Sequence, residues 1–284
     1  MKIILALIIS LSFFSCSEKK ETTGSTNKDT ITKNTSVNLS DTVNIKRLFD
    51  DAKLTGCFIV YDMQKEKYYY HDSARCNKEF IPASTFKIPN SLFSLEAGAV
   101  KDENEKLKWD GKDRNREEWN QDTDMKMAFK YSTVWFYQEC ARRIGEKRMQ
   151  HFLDTLNYGN KNMSGGLDRF WLDGAIRITA MQQIALLKRI YDNKVPFAQR
   201  NIDILKNIMI MEKTDNYTLR AKTGTAMNDK GEGVAWYVGY VERSGGVYFF
   251  ALNIDIKDDA KFAERIALTK RILTQMGLGP FIMK

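Results

Sequence analysis

Histidine is nearly absent: the 284-residue chain has two, His71 and His151. They stand too far apart for an HExxH zinc site and are too few for a dinuclear zinc centre, so metal chemistry lacks its usual ligands. Neither lies beside a serine-bearing motif, which argues against a Ser-His-Asp hydrolase. Proline and glycine are sparse as well, 4 and 17 residues, excluding a collagenous or linker-dominated chain. An acidic excess is also lacking. The 44 Lys and Arg against 36 Asp and Glu leave a net charge of +8, with the basic residues scattered and interleaved with acids. That distribution reads as a solvated basic surface, not a nucleic-acid interface. What is plentiful is core material, 43% hydrophobic and 12% aromatic residues. In a chain about twice the length of a typical single-core domain, this excludes general disorder and predicts one large or two intimately packed domains.

Long apolar runs are missing except at the start, where Ile3 to Ile9 follows the lone charge of Lys2 and leads through Phe13-Phe14 to Ser15-Cys16. The run is too short to cross a bilayer and has the form of a secretory signal. A small residue followed by cysteine resembles the lipoprotein signal, in which Cys16 is lipidated and becomes the mature N-terminus. From Ser17 to about Ser40 the chain is rich in Ser, Thr, Asn and Lys, too polar to repay the cost of ordering. The expected organisation is a signal over 1–15, a tether over 16–42 and a folded domain over 43–284. The protein is then exported to the periplasm and held on a membrane only through Cys16. The remaining cysteines, Cys57, Cys76 and Cys140, allow at most one intramolecular disulfide. Cys57 and Cys76 flank a predicted hairpin, where a bridge and two buried thiols both fit. Cys140 is expected in the core.

Residues 56–63 and 67–71 read as two strands joined by the turn Gln64-Lys65-Glu66. Apolar spacing predicts helices at about 86–97, 136–144, 179–191 and 202–211, with Thr179 able to cap the third. The charged stretch from Lys101 to Asp124 reads as an exposed excursion. Strand-like runs return at 217–223, 234–242 and 247–256, the last two joined by Arg243-Ser244-Gly245-Gly246, and a closing helix is expected over 260–276. Strands at both chain ends with helices between them predict an α/β (α+β) fold. Its antiparallel sheet is assembled from both termini and flanked by helices, with a helical subdomain inserted at roughly 86–211. The cleft between the parts is the natural site.

Ala83-Ser84-Thr85-Phe86-Lys87 follows Pro82 at the head of the first predicted internal helix. Three-residue spacing places Ser84 and Lys87 on one face, so the lysine nitrogen can reach the serine hydroxyl. Apolar neighbours disfavour a charged Lys87. Ser132-Thr133-Val134 and then Lys222-Thr223-Gly224-Thr225 follow in order. This sequence of motifs resembles the S-x-x-K, S-D-N, K-T-G set of serine β-lactamases and penicillin-binding proteins, with S-x-V in the second place. Trp109-Asp110-Gly111, Tyr158-Gly159-Asn160, Phe170-Trp171-Leu172-Asp173-Gly174, Trp236-Tyr237-Val238-Gly239 and Arg265 complete a pattern similar to class D, oxacillinase-type β-lactamases from about Leu54 to Leu273.

The resemblance implies a transpeptidase-like fold and hydrolysis of β-lactam antibiotics, conferring resistance, without a metal. Ser84 matches the acylated nucleophile. Lys87 matches a lysine that takes up carbon dioxide, supplied as bicarbonate, and as N6-carboxylysine acts as general base. Trp171 matches the residue that holds this carbamate, with Val134 and Leu172 screening it from solvent. Ser132, assisted by Lys222, matches the proton relay to the departing nitrogen. Thr223 and Arg265 match groups that receive the substrate carboxylate. Within Lys222-Thr223-Gly224-Thr225, Gly224 also belongs to the substrate strand, and the backbone N–H groups of Ser84 and Thr225 match the oxyanion hole. Two rivals share the nucleophile and lysine: a penicillin-binding transpeptidase or carboxypeptidase, and a non-hydrolysing β-lactam sensor. Tyr158-Gly159-Asn160 is expected to be a structural turn. No motif speaks to oligomeric state or to which β-lactams are taken.

Overall fold

The computed structural model describes residues 43–257 and 263–282. The expected signal and tether, Cys16 and the first residues of the closing helix lie outside them. The chain begins with α1 (Ile45–Ala52), where Asn44 accepts a hydrogen bond from the Arg47 N–H at 3.0 Å and so caps the first turn. Strands β1 (Gly56–Asp62) and β2 (Lys67–His71) and the short helix α2 (Ser73–Cys76) come next. A 3-10 turn over Ala83–Phe86 then runs directly into α3 (Lys87–Glu96). Helices α4 (Met125–Lys130), α5 (Val134–Ile144), α6 (Glu146–Leu156), α7 (Ala180–Tyr191) and α8 (Gln199–Ile208) follow. The chain closes with β3 (Ile210–Lys213), β4 (Tyr217–Met227), β5 (Gly233–Arg243), β6 (Gly246–Ile256) and α9 (Glu264–Gln275).

The six strands form one antiparallel sheet in the order β2-β1-β6-β5-β4-β3. The early strand β1 lies against the last strand β6, with Cys57 opposite Asn253, so the sheet is assembled from both chain ends as the sequence predicts. Period-two alternation feeds two cores at once. In β1, Cys57, Ile59 and Tyr61 face the core shared with α3, α5 and α7, while Phe58 and Val60 face the core closed by α1 and α9. Both faces are covered, which is why β1 is buried along its whole length.

Several elements depart from the sequence-based expectation. β3 replaces the end of the helix predicted to reach residue 211, because the apolar spacing of α8 runs on into Ile210 with no glycine or proline to mark the change. α1, α2, α4 and α6 are further helices, three of them too short or too polar to show a full apolar stripe. Thr179 does cap α7, in a reciprocal box with Gln182. Cys57, Cys76 and Cys140 are all buried free thiols. Cys76 lies against Cys57, and its hydrogen bond with that thiol, with burial, raises its pKa.

Candidate active site

The turn that carries Ser84 is bent by its backbone. Ala83 has a φ of +49°, a left-handed conformation uncommon outside glycine, and this swings the chain from Pro82 into the 3-10 turn. Ser84 therefore sits on a 3-10 turn and not in the α-helix proper, which begins at Lys87. The consequence favours the predicted pair, since three residues per 3-10 turn eclipse i and i+3. Lys87 Nζ lies 2.9 Å from Ser84 Oγ.

Three hydrogen bonds, two of them buried, hold the turn. Thr85 Oγ1 donates to the Pro82 carbonyl (2.7 Å) and accepts from Gln183 Nε2 of α7 (2.9 Å). Trp236 Nε1 of β5 donates to the Ile81 carbonyl (2.9 Å). Strand β4 closes on the turn at Gly224, where an added Cβ would stand 2.8 Å from the Pro82 oxygen and 3.1 Å from the Thr85 nitrogen. Only glycine permits that approach, which brings the strand carrying Thr223 and Thr225 beside Ser84.

Lys87 is wholly buried. Desolvation, and next the like charge of Lys222, hold its pKa well below the ordinary lysine range, so the neutral amine is favoured. The Tyr137 ring centroid is 5.3 Å from Nζ. Trp171, fully buried, stacks on Phe86 with centroids 5.2 Å apart, and its indole N–H has no hydrogen-bond partner. Such an unpaired buried donor costs about 1–3 kcal/mol.

Ser132 joins α4 to α5 with a φ of +59°; after Ala83 it is a second left-handed residue at the site, and this one is itself a predicted catalytic residue. Lys222 in β4 is buried, and burial followed by the charge of Arg265 brings its pKa down to about 7. Its Nζ donates to the Thr223 carbonyl (3.2 Å) and to Thr223 Oγ1 (3.4 Å). Arg265 projects from α9 and donates from Nη1 to Thr225 Oγ1 at 2.6 Å. Burial lowers its pKa to about 10, still a cation at neutral pH.

These residues meet at one cleft of about 580 Å³. Ser84 and Ser132 line it from the helical side, and Thr223, Gly224, Thr225 and Arg265 from β4 and α9. Val134 and Leu172 add apolar surface. Lys87, Trp171 and Lys222 are buried and form none of that lining. Asn160 behaves as a structural turn residue: its Oδ1 accepts from the backbone N–H groups of Asn162 and Arg177, at 3.1 and 3.0 Å. The cleft also gathers Arg116, Trp119, Lys130, Tyr131 and Met227, which sequence reasoning missed. The first two lie in the irregular excursion, where no periodicity marks a wall.

The penicillin-binding-protein transpeptidase domain matches residues 56–274. Over 232 residues the chain is 42% identical to β-lactamase OXA-48 of Klebsiella pneumoniae, covering 82% of this chain and 87% of that protein. The chain belongs to the class D β-lactamase family. Among solved structures, the class D β-lactamase YbXI from Nostoc superposes with a TM-score of 0.81 at 45% identity, covering 84% of this chain and 100% of that one. FUS-1 (OXA-85) of Fusobacterium nucleatum subsp. polymorphum gives 0.81 at 37% identity, covering 83% and 98%. In this chain the fold brings Ser84 and strand β4 to one cleft, with the buried Lys87 nitrogen behind the serine.

Proposed function

We propose that this class D β-lactamase hydrolyses the β-lactam amide of penicillins and related antibiotics through an acyl-enzyme on Ser84, giving resistance, with Lys87 carrying the general base. The observation that carries this reading is the buried Lys87 nitrogen, 2.9 Å from Ser84 Oγ in a pocket that disfavours its charge. Only a neutral amine has the lone pair to attack carbon dioxide, and the product needs a hydrogen-bond donor where burial has removed water. The unpartnered indole N–H of Trp171 suits that need. Bound as the carbamate, carbon dioxide supplies an oxygen base at the end of Lys87.

The chain's own groups then divide the work. Ser84 Oγ attacks the lactam carbonyl carbon as its proton leaves toward Lys87, and the backbone N–H groups of Ser84 and Thr225 receive the developing oxyanion. When the carbon–nitrogen bond breaks, Ser132 hands a proton to the ring nitrogen, and Lys222, whose pKa near 7 lets it exchange protons at neutral pH, restores it. Thr223 and Arg265 receive the substrate carboxylate. Water then attacks the Ser84 ester, losing its proton toward Lys87, and the open-ring acid leaves. Val134 and Leu172 screen the base from bulk solvent. The same reading has the chain exported through a signal over 1–15 and anchored in the periplasm by lipid on Cys16, supported by the apolar run Ile3–Ile9 and the Ser15-Cys16 junction.

A time course with benzylpenicillin tests the reaction. Many turnovers per protein are expected, with Ser84→Ala giving neither turnover nor a mass adduct. One trapped equivalent would instead make the chain a sensor, and slow release a penicillin-binding transpeptidase or carboxypeptidase.

A further inference from the structure

The cleft has a second cationic pole. Arg116, in the loop ahead of α4, and Lys130, the last residue of α4, both line it and both are exposed. Among the described residues neither makes an ion pair or a side-chain hydrogen bond. Each lies instead against an aromatic ring, the Arg116 guanidinium 5.0 Å from the Trp119 centroid and Lys130 Nζ 5.1 Å from that of Tyr131. The platform is fixed. Trp119 Nε1 donates to the Tyr131 carbonyl (3.0 Å), and the Trp119 carbonyl accepts from Trp135 Nε1 (2.7 Å).

A cation resting on a ring keeps its N–H donors for an incoming anion, as one already bound to a carboxylate does not. Among the described residues no carboxylate lines the cleft to quench this pole; Glu117 and Glu118 follow Arg116 in the chain but form none of the lining. The common β-lactam carboxylate is accounted for by Arg265 with Thr223, on walls supplied by α9 and β4. A substrate with one charge leaves Arg116 and Lys130 unused, whereas a dianion matches both poles. We infer that Arg116 and Lys130 form a second anion subsite, selecting β-lactams whose acylamino side chain itself carries a carboxylate or sulfonate. This rests on the β-lactamase reading above.

Benzylpenicillin and α-carboxybenzylpenicillin share ring system and phenyl group and differ by one carboxylate, so their kcat/KM ratio isolates the subsite. Relative to wild type, the preference for the dianion is expected to fall roughly threefold in Arg116→Gln or Lys130→Gln and about tenfold in the double variant, the scale of one exposed ion pair each. The loss should appear in KM, and Arg116→Lys should retain most of the preference. Added salt should narrow the ratio in wild type and leave it flat in the double variant. An unchanged ratio in the double variant overturns the subsite, thermal melts confirming that it is folded. If wild type turns over neither penicillin, the hydrolase reading fails; the same ratio is then read from Ser84 acylation rates by mass spectrometry, where equal rates in wild type and double variant overturn the subsite independently.

Discussion

Lys222 is the second cause, after burial, of the depressed pKa of Lys87: two lysines share one buried region and cannot comfortably both be ammonium. Lys222 itself is held at about 7 against an ordinary 10.5. The unfolded chain therefore binds more protons than the folded one between those values, and stability must rise with pH across that window and be lost as pH falls toward 7. Lys87, shifted in the same direction, adds to the slope. Urea unfolding at pH 7 and pH 9 is expected to show the alkaline gain in wild type and a smaller one in Lys222→Met. An identical slope in the variant would remove Lys222 as its source. The same substitution removes a like charge from Lys87, so Lys87 protonates more readily and the acidic limb of kcat/KM should move to higher pH.

Gly224 and the nucleophile turn are matched in shape. Gly224→Ala places a methyl 2.8 Å from the Pro82 oxygen and 3.1 Å from the Thr85 nitrogen, backbone atoms that hydrogen bonds hold in place. Overpacking of this kind costs about 1–3 kcal/mol. Melting temperature should fall by several degrees, with acylation of Ser84 slowed by more than ten-fold because the serine moves with its turn. Wild-type acylation in a destabilised variant would show that strand and turn adjust independently.

Ser84, Lys87 and the β4 motif are legible in the sequence because their geometry is local: a three-residue spacing survives whether the turn is 3-10 or α. The sheet built from both chain ends is legible in the alternation of β1 and β6. What the sequence hides is set by tertiary contact. Ala83 and Ser132 carry left-handed backbone that no composition rule assigns to Ala or Ser. β3 hides because Ile210 continues the spacing of α8. Arg116 and Trp119 hide because a cleft wall made from such a segment has no period, and the tertiary contacts of Trp119, its core packing and its hydrogen bonds with Tyr131 and Trp135, bring it into place.

The proposed lipid anchor on Cys16 predicts a simple separation. A single acyl chain holds a protein to a bilayer only marginally, so stable attachment calls for the several chains of a lipoprotein on Cys16. In cells expressing the whole chain, Cys16→Ser should move β-lactamase activity from the membrane pellet to the soluble fraction with kcat/KM unchanged. Wild-type activity found wholly in the soluble fraction would end the lipid-anchor reading.

Trp171 offers the sharpest test of the base, because its indole N–H is a buried donor without a partner and its ring stacks on Phe86, next to Lys87 in the chain. Trp171→Phe keeps an aromatic ring against Phe86 while removing the donor together with part of the buried ring volume, so thermal melts are run beside it to separate the packing loss. A carbamate on Lys87 would then lack a hydrogen bond in surroundings of low dielectric, where that loss is costly. The modified fraction should fall, and activity should come to depend steeply on added bicarbonate. Acid acts in the same direction, since protonation of Lys87 withdraws the amine that binds carbon dioxide. Wild-type activity should drop as pH falls and be partly restored by bicarbonate at a fixed, mildly acidic pH, with deacylation suffering more than acylation in the variant. Carbon-13 NMR after labelled bicarbonate, run with activity across the same pH series, decides the matter. Full activity without a carbamate resonance would falsify the carbamate and leave Lys87 acting as a plain amine base, for which removal of the Trp171 donor should instead relieve an unpaired group and leave bicarbonate without effect.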